Sequence, residues 1–132
     1  MKKISGISIL LTLISNKKTM KKLHHSMKNA FKGILYAYVD TNIKIITLVV
    51  VIFSTTVLVF VPYFSLQLLM IVFGIGAIVV EMINTAVEHF IDFVYPAYHP
   101  DCGKIKDILA GSSLLISIAT AIVFLRSMSS IF

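Results

Sequence analysis

The chain has 132 residues, 58% of them hydrophobic, with 12 Lys and Arg against 6 Asp and Glu and a formal net charge of +6. A mean hydropathy of +0.94 lies far outside the range of soluble globular domains and predicts a single-domain, all-α integral membrane protein. One cysteine, Cys102, excludes an internal disulfide; the absence of a CxxC pair or His/Cys cluster argues against structural zinc, and a basic excess adjoining hydrophobic runs points to a membrane surface, with no nucleic-acid partner.

In chain order, Met1-Lys2-Lys3 followed by the apolar run Ile4 to Ile14 resembles the start of a secretory signal. No small-x-small cleavage site follows, and the basic stretch Asn16 to Lys22 would resist translocation. The run is also short for a membrane span. Residues 1–22 are therefore expected to form a peripheral segment at the interface, or else an extension from an upstream start codon. From Leu23 to Val39, the residues Leu23, Met27, Ala30, Phe31, Ile34, Leu35 and Tyr38 recur with helical period, opposite Lys21, Lys22, Lys28, Lys32, His24 and His25. This predicts an amphipathic helix on an anionic leaflet. Its adjacent histidines point about 100° apart, which suits solvated side chains better than a metal pair.

Ile45 to Val61 is free of charge and long enough to cross, at about 1.5 Å per residue, as a first transmembrane helix. Pro62 to Ser65 reads as a turn, and Leu66 opens a second helix running to about residue 94, past Val80 into acidic sequence. Pro96 and Pro100 are expected to break it, Gly103 to complete a loop, and Ile108 to Leu125 to form the third span. Residues 23–132 thus form the membrane-embedded domain, a surface helix plus three transmembrane helices. The basic arm and the loop carrying Lys104 and Lys106 fall on one side, so the positive-inside rule makes the N-terminus cytoplasmic and the C-terminus external, in a multi-pass protein of the plasma membrane.

Five of the six acidic residues, Glu81, Glu88, Asp92, Asp101 and Asp107, lie between Glu81 and Asp107. On a helix continuing to Asp92, the residues Glu81, Asn84, Glu88 and Asp92 share an arc of roughly 80°. Carboxylates at a membrane boundary are costly, so such a row points to a functional site. Together with Asp40 at the end of the first helix and Lys106-Asp107 at the start of the last, they form a cytoplasmic set of hard oxygen ligands. Such a set suits Mg²⁺ held by one or two carboxylates and substrate phosphates. Lys106, expected in the first turn of the third span, is placed to meet a phosphate near the positive end of that helix. No Walker A pattern is present, which excludes an ordinary P-loop. Two bland alternatives remain from spacing alone: the polar groups pair among themselves to pack a bundle, or they line a cation path in a non-catalytic membrane oligomer.

The order Glu81-Met-Ile-Asn84-Thr-Ala-Val-Glu88, then Asp92, Tyr98-His99-Pro100 and Lys106-Asp107, resembles the signature of the small prokaryotic membrane kinases that phosphorylate diacylglycerol or undecaprenol. Upstream, Ala30-Phe31-Lys32-Gly33 and Asp40-Thr41-Asn42-Ile43-Lys44 are similar to further motifs of that family, and the likeness extends from about Leu23 to Leu125. The resemblance implies a homotrimeric bundle of three-span subunits with sites at subunit boundaries, and Mg-dependent transfer of the ATP γ-phosphate to a lipid alcohol. It implies Glu81 as general base, and Asp40 and Glu88 as holders of Mg²⁺ on the nucleotide. Asn84 becomes a site-positioning residue, Asp92 a polar residue of the nucleotide site, Lys106 a phosphate contact and Asp107 a nucleotide-binding residue. Thr85 and the His99-Pro100 pair look more like the undecaprenol branch. Two departures bear on the site: Asp40 stands where Glu is usual, retracting the carboxylate by one methylene, and Lys44 where Arg is common, losing bidentate geometry. His99 is expected to be structural and Cys102 incidental.

Overall fold

Four α-helices and no strand make up the described residues of this computed structural model, 17–97 and 99–132. They are α1 (Lys17–Ala37), α2 (Thr41–Phe60), α3 (Phe64–Val94) and α4 (Pro100–Met128). The run Ile4 to Ile14 and the motif residue Tyr98 lie outside the described residues. The chain divides into two compact units, one ending at Tyr36 and the other spanning Ala37–Phe132.

In the first unit, α1 begins at Lys17, six residues before the expected Leu23, so the basic cluster through Lys22 is helical. Its apolar row is exposed, with Leu23 at 51%, Phe31 at 64% and Leu35 at 70%. His25 is engaged locally, its Nδ1 lying 3.2 Å from Asn29 Nδ2 one turn on.

The second unit starts with a cap. Asp40 adopts an extended backbone and its Oδ1 accepts from Asn42 N at 2.7 Å, which satisfies one of the orphan amides of the first turn of α2. Lys44 Nζ donates to Val39 O at 3.1 Å across the same junction. At the far end of α2, Gln67 reaches back and its Nε2 donates to Val61 O at 2.8 Å, so the connection into α3 is only Val61 to Tyr63. Helix α3 accordingly opens at Phe64, inside the expected turn.

The α3–α4 connection corrects the sequence reading. Pro96 falls just past the end of α3, as expected, but Pro100 starts α4 instead of preceding a loop. A proline at the first helical position loses no hydrogen bond and has the right φ already, so it initiates a helix as readily as it ends one. His99 caps that helix, its Nδ1 accepting from Asp101 N at 3.2 Å, and Asp101 sits favourably in the first turn, bonded to Lys104 Nζ at 2.9 Å. Gly103, Cys102 and Lys104 are therefore helical, and Lys106 lies in the second turn of α4, away from the positive helix end at which it was expected.

Helix α3 packs along both α2 and α4. Toward the Val61–Tyr63 end, Val57, Val61, Met70 and Val123 form a buried cluster flanked by Phe53, Leu66, Phe73, Phe124 and Met128, with the Phe53 and Phe124 rings stacked 4.0 Å apart. Midway, Gly74 lets α2 approach so closely that a Cβ there would stand 2.6 Å from Val50 Cγ1. Thr120 Oγ1 donates to Phe73 O at 3.3 Å, tying α4 to α3. The three helices carry windows of mean hydropathy 2.5, 2.4 and 2.3 of which only 17%, 22% and 17% is buried. Apolar surface on this scale needs hydrocarbon around it, and each helix is long enough to cross. The protein is a multi-pass membrane protein.

Candidate functional site

Helix α3 continues without interruption from its apolar half into the acidic sequence. Glu81, Asn84 and Thr85 are buried, at 6%, 6% and 5% exposure, Glu88 is half-buried and Asp92 is exposed. The gradient is one of packing within the chain, since Ile83, level with Glu81, is 54% exposed. Glu81 stands seventeen residues from Phe64, about 26 Å along the helix against a hydrocarbon core of about 30 Å. Asp92, eleven residues further, is about 16 Å higher. For a hydrocarbon core that starts at Phe64, the carboxylate row begins near its far boundary.

At the level of Glu81, the start of α2 and the middle of α4 close a groove of ≈ 230 Å³ lined by Asn42, Ile45, Ile46, Glu81, Ser113, Leu114 and Ser117. Its lining combines Ile45, Ile46 and Leu114 with the polar side chains of Asn42, Glu81, Ser113 and Ser117. Glu81 precedes the end of α3 by thirteen residues and Ser113 follows the start of α4 by thirteen, so the two sit at equal heights in the antiparallel hairpin. Ser113 was not foreseen as a site residue. The only signal available was a cluster of serines, Ser112, Ser113 and Ser117, inside an apolar span, which composition alone assigns to helix packing.

One turn above Glu81, Asn84 Nδ2 donates to Glu88 Oε1 at 3.3 Å, and Asn84 Oδ1 is buried with no hydrogen-bond partner among the described residues. Higher still, Lys106 Nζ donates to Asp92 Oδ1, pairing α4 with α3. That pair borders a cleft of ≈ 340 Å³ whose walls include Tyr95, His99 and Cys102. Asp107 is exposed. Asp40 departs from expectation in having a structural duty, since one of its oxygens caps α2. Among the described residues no group of three His, Cys, Asp or Glu side chains converges to hold an ion. The chemistry of the donors nonetheless fits Mg²⁺. A buried amide oxygen lacking a donor stands beside a half-buried carboxylate, and Mg²⁺ commonly takes only one or two carboxylates, completing its shell with waters and substrate phosphates. Of the two residues expected to hold it, Glu88 stands beside that amide oxygen, and Asp40 lies at the start of α2 with one oxygen engaged by the cap.

A buried carboxylate at the membrane boundary, a polar face rising from it and a lysine above it are the parts a membrane phosphotransferase needs. The family described as prokaryotic diacylglycerol kinase matches residues 28–128. The chain belongs to that family. Every candidate residue from Asp40 to Asp107 lies inside the matched region. Neither a curated protein nor a solved structure matches the chain significantly. As a member of the prokaryotic diacylglycerol kinases, the protein is a membrane-embedded lipid kinase, which implies a nucleotide and a lipid as its substrates.

Proposed function

We propose that the protein transfers the γ-phosphate of ATP, with Mg²⁺, to the hydroxyl of a membrane lipid alcohol, with undecaprenol ahead of diacylglycerol. The observation that carries this reading is the burial of Glu81 on a membrane-spanning helix, beside a groove that Ile45, Ile46 and Leu114 also line. A carboxylate held there meets a lipid hydroxyl from one side and a nucleotide from the other. Glu81 takes the proton as the hydroxyl oxygen attacks the γ-phosphorus. The new O–P bond forms, the bond to the β–γ bridging oxygen breaks, and ADP leaves with the released charge. Mg²⁺, when bound through Asp40 and Glu88, supplies neutralisation of phosphate charge. Asn84 positions the group beside it, and Asp92, Lys106 and Asp107 hold the nucleotide, with Lys106 exchanging Asp92 for a phosphate oxygen. Loose phosphoryl transfer asks for little beyond such positioning and charge compensation.

The exposed apolar row of α1, backed by its lysines, suits a helix lying on an anionic leaflet on the cytoplasmic side. The exposed apolar faces of α2, α3 and α4 suit a homotrimer, in which neighbouring subunits complete a pocket one chain leaves open. Thr85, buried on the same helix face as Glu81, supports undecaprenol because it is one of the residues that resemble that branch. Purified protein incubated with Mg-ATP and either lipid tests the assignment. A phosphorylated lipid is the expected product, and absence of product on both lipids would favour a non-catalytic, carboxylate-lined membrane oligomer.

A further inference from the structure

The end of the bundle remote from Glu81 carries a charge that no side chain answers. All six acidic residues belong to the other end: Asp40 opens α2, Glu81 is the first on α3 and Asp107 the last on α4. Arg126 stands in the last turn of α4, nineteen residues past Asp107 and so about 28 Å along the helix. It is the sole Lys or Arg beyond Lys106 in the sequence, and no carboxylate among the described residues pairs with it. The ends of α2 and α4 carry partial negative charge and the start of α3 partial positive charge, about half an elementary charge each, so together they offset only about half of the guanidinium.

The side chain is exposed yet held in place. Arg126 Nη1 donates to Ser129 Oγ at 3.1 Å, and Ser129 Oγ donates in turn to Arg126 O at 2.9 Å. A guanidinium has five N–H donors in a rigid fork, so most remain for a ligand. Arg126 borders a pocket of ≈ 530 Å³, lined by Ser129 and Ser130 past the end of α4 and by Tyr63, Ser65 and Leu66 at the start of α3. Hydroxyls grouped around a guanidinium, with no acid among them, make a donor set for a phosphate oxyanion. Phe64 and Leu125, chain neighbours of lining residues, are exposed and apolar, so hydrocarbon contact adjoins the pocket.

We propose that this pocket binds the phosphate of an anionic phospholipid in the leaflet remote from Glu81, with Arg126 as its forked donor. The site is separate from the carboxylate row and does not rest on the kinase reading. A bound headgroup bridges the start of α3 and the end of α4, bracing the far end of the hairpin and setting its height in the bilayer. Free phosphate shares the oxyanion chemistry but has no acyl chains to meet the apolar surface.

The full chain, purified in a neutral maltoside detergent, is titrated with dioleoyl phosphatidylglycerol, dioleoyl phosphatidylcholine or inorganic phosphate. Binding is read by native mass spectrometry and by melting temperature. Phosphatidylglycerol is expected to bind and to raise the melting temperature, with phosphatidylcholine weaker and inorganic phosphate without effect. Arg126→Gln should weaken the tightest-bound phosphatidylglycerol about ten- to hundredfold and remove most of its thermal protection. Arg126→Lys, which keeps the charge and loses the fork, should fall between. A Lys21→Gln/Lys22→Gln double variant should retain the tightest site, because its charges lie on α1. Wild-type affinity in Arg126→Gln, loss of the tightest site in the α1 variant alone, or equal protection by phosphatidylcholine overturns the proposal. Protection by inorganic phosphate that disappears in Arg126→Gln would reassign the pocket to a soluble anion and overturn the lipid assignment.

Discussion

Asn84 donates its Nδ2 to Glu88 Oε1 at 3.3 Å, while its own Oδ1, on the same amide, is buried without a hydrogen-bond partner among the described residues. The two residues thus form a half-satisfied pair, one turn above the buried Glu81. Leaving an acceptor unmet inside a protein costs about 1–3 kcal/mol, a cost that a bound cation would offset. A carboxylate and an amide oxygen together attract a cation; a buried carboxylate beside an apolar groove attracts a proton. On the proposed reading, adjacent turns of α3 divide the work between metal and base.

That division predicts different failures for the two carboxylates. Glu81→Gln keeps the shape of the side chain but cannot take the lipid proton, and turnover should fall by about 10²-fold or more with Mg-nucleotide affinity retained. Glu88→Gln removes a charge from the metal side and should weaken Mg-nucleotide binding by about tenfold. Measuring nucleotide affinity and single-turnover rate in both variants checks the roles; an equal loss of nucleotide affinity in both would contradict them.

The Asp92–Lys106 pair makes a second prediction. Both side chains are partly open to solvent, at 62% and 34% exposure, so the pair adds little to stability. Lys106→Gln should leave the melting temperature almost unchanged and raise the KM for ATP severalfold, because a phosphate contact is lost. Asp92→Asn frees the lysine, so high salt should restore little and nucleotide affinity should respond to the charge change at once. A KM for ATP that is indifferent to Lys106→Gln would reduce the pair to a surface ion pair.

Gly74 carries the close approach of α2 to α3, and a methyl group there would meet Val50 Cγ1 at 2.6 Å. Valine cannot yield by rotating a long side chain, so the helices must part. Gly74→Ala is expected to destabilise the hairpin by about 1–3 kcal/mol. Combining it with Val50→Ala should restore much of the loss, which thermal unfolding in detergent would register; additive losses would show that the two residues do not meet.

The three spans and the acidic helix face were legible because each leaves a period or a run in the sequence: uncharged stretches of crossing length, and carboxylates at the spacing of one face. The start of α4 was not, because Pro100 breaks a helix that reaches it and initiates one that follows it, and only the His99 cap decides between the two. The cap at Asp40 was likewise readable as Asp-Thr-Asn before an apolar run, yet its resemblance to a metal-binding motif drew the reading to its charge.

Topology gives the last prediction, on which the kinase reading depends. ATP is cytosolic, so Glu81, Glu88 and Lys106 must face the cytoplasm, as the basic N-terminal arm implies. The deciding piece in the sequence is Ile4 to Ile14: as a peripheral segment or a fourth span it leaves Asn16 to Lys32 inside, and as a cleaved signal it would export the arm and invert the site. Cys102 reports on this directly, because it is the one cysteine of the chain and lines the cleft beside Asp92 and Lys106. It is partly exposed, on the second residue past Pro100 of α4, and so within reach of a reagent on its own side of the membrane. A membrane-impermeant thiol reagent should label it only after cells are opened, with Cys102→Ser unlabelled throughout. Labelling of Cys102 in intact cells would put the carboxylates on the side without ATP and overturn the assignment of the site to phosphoryl transfer.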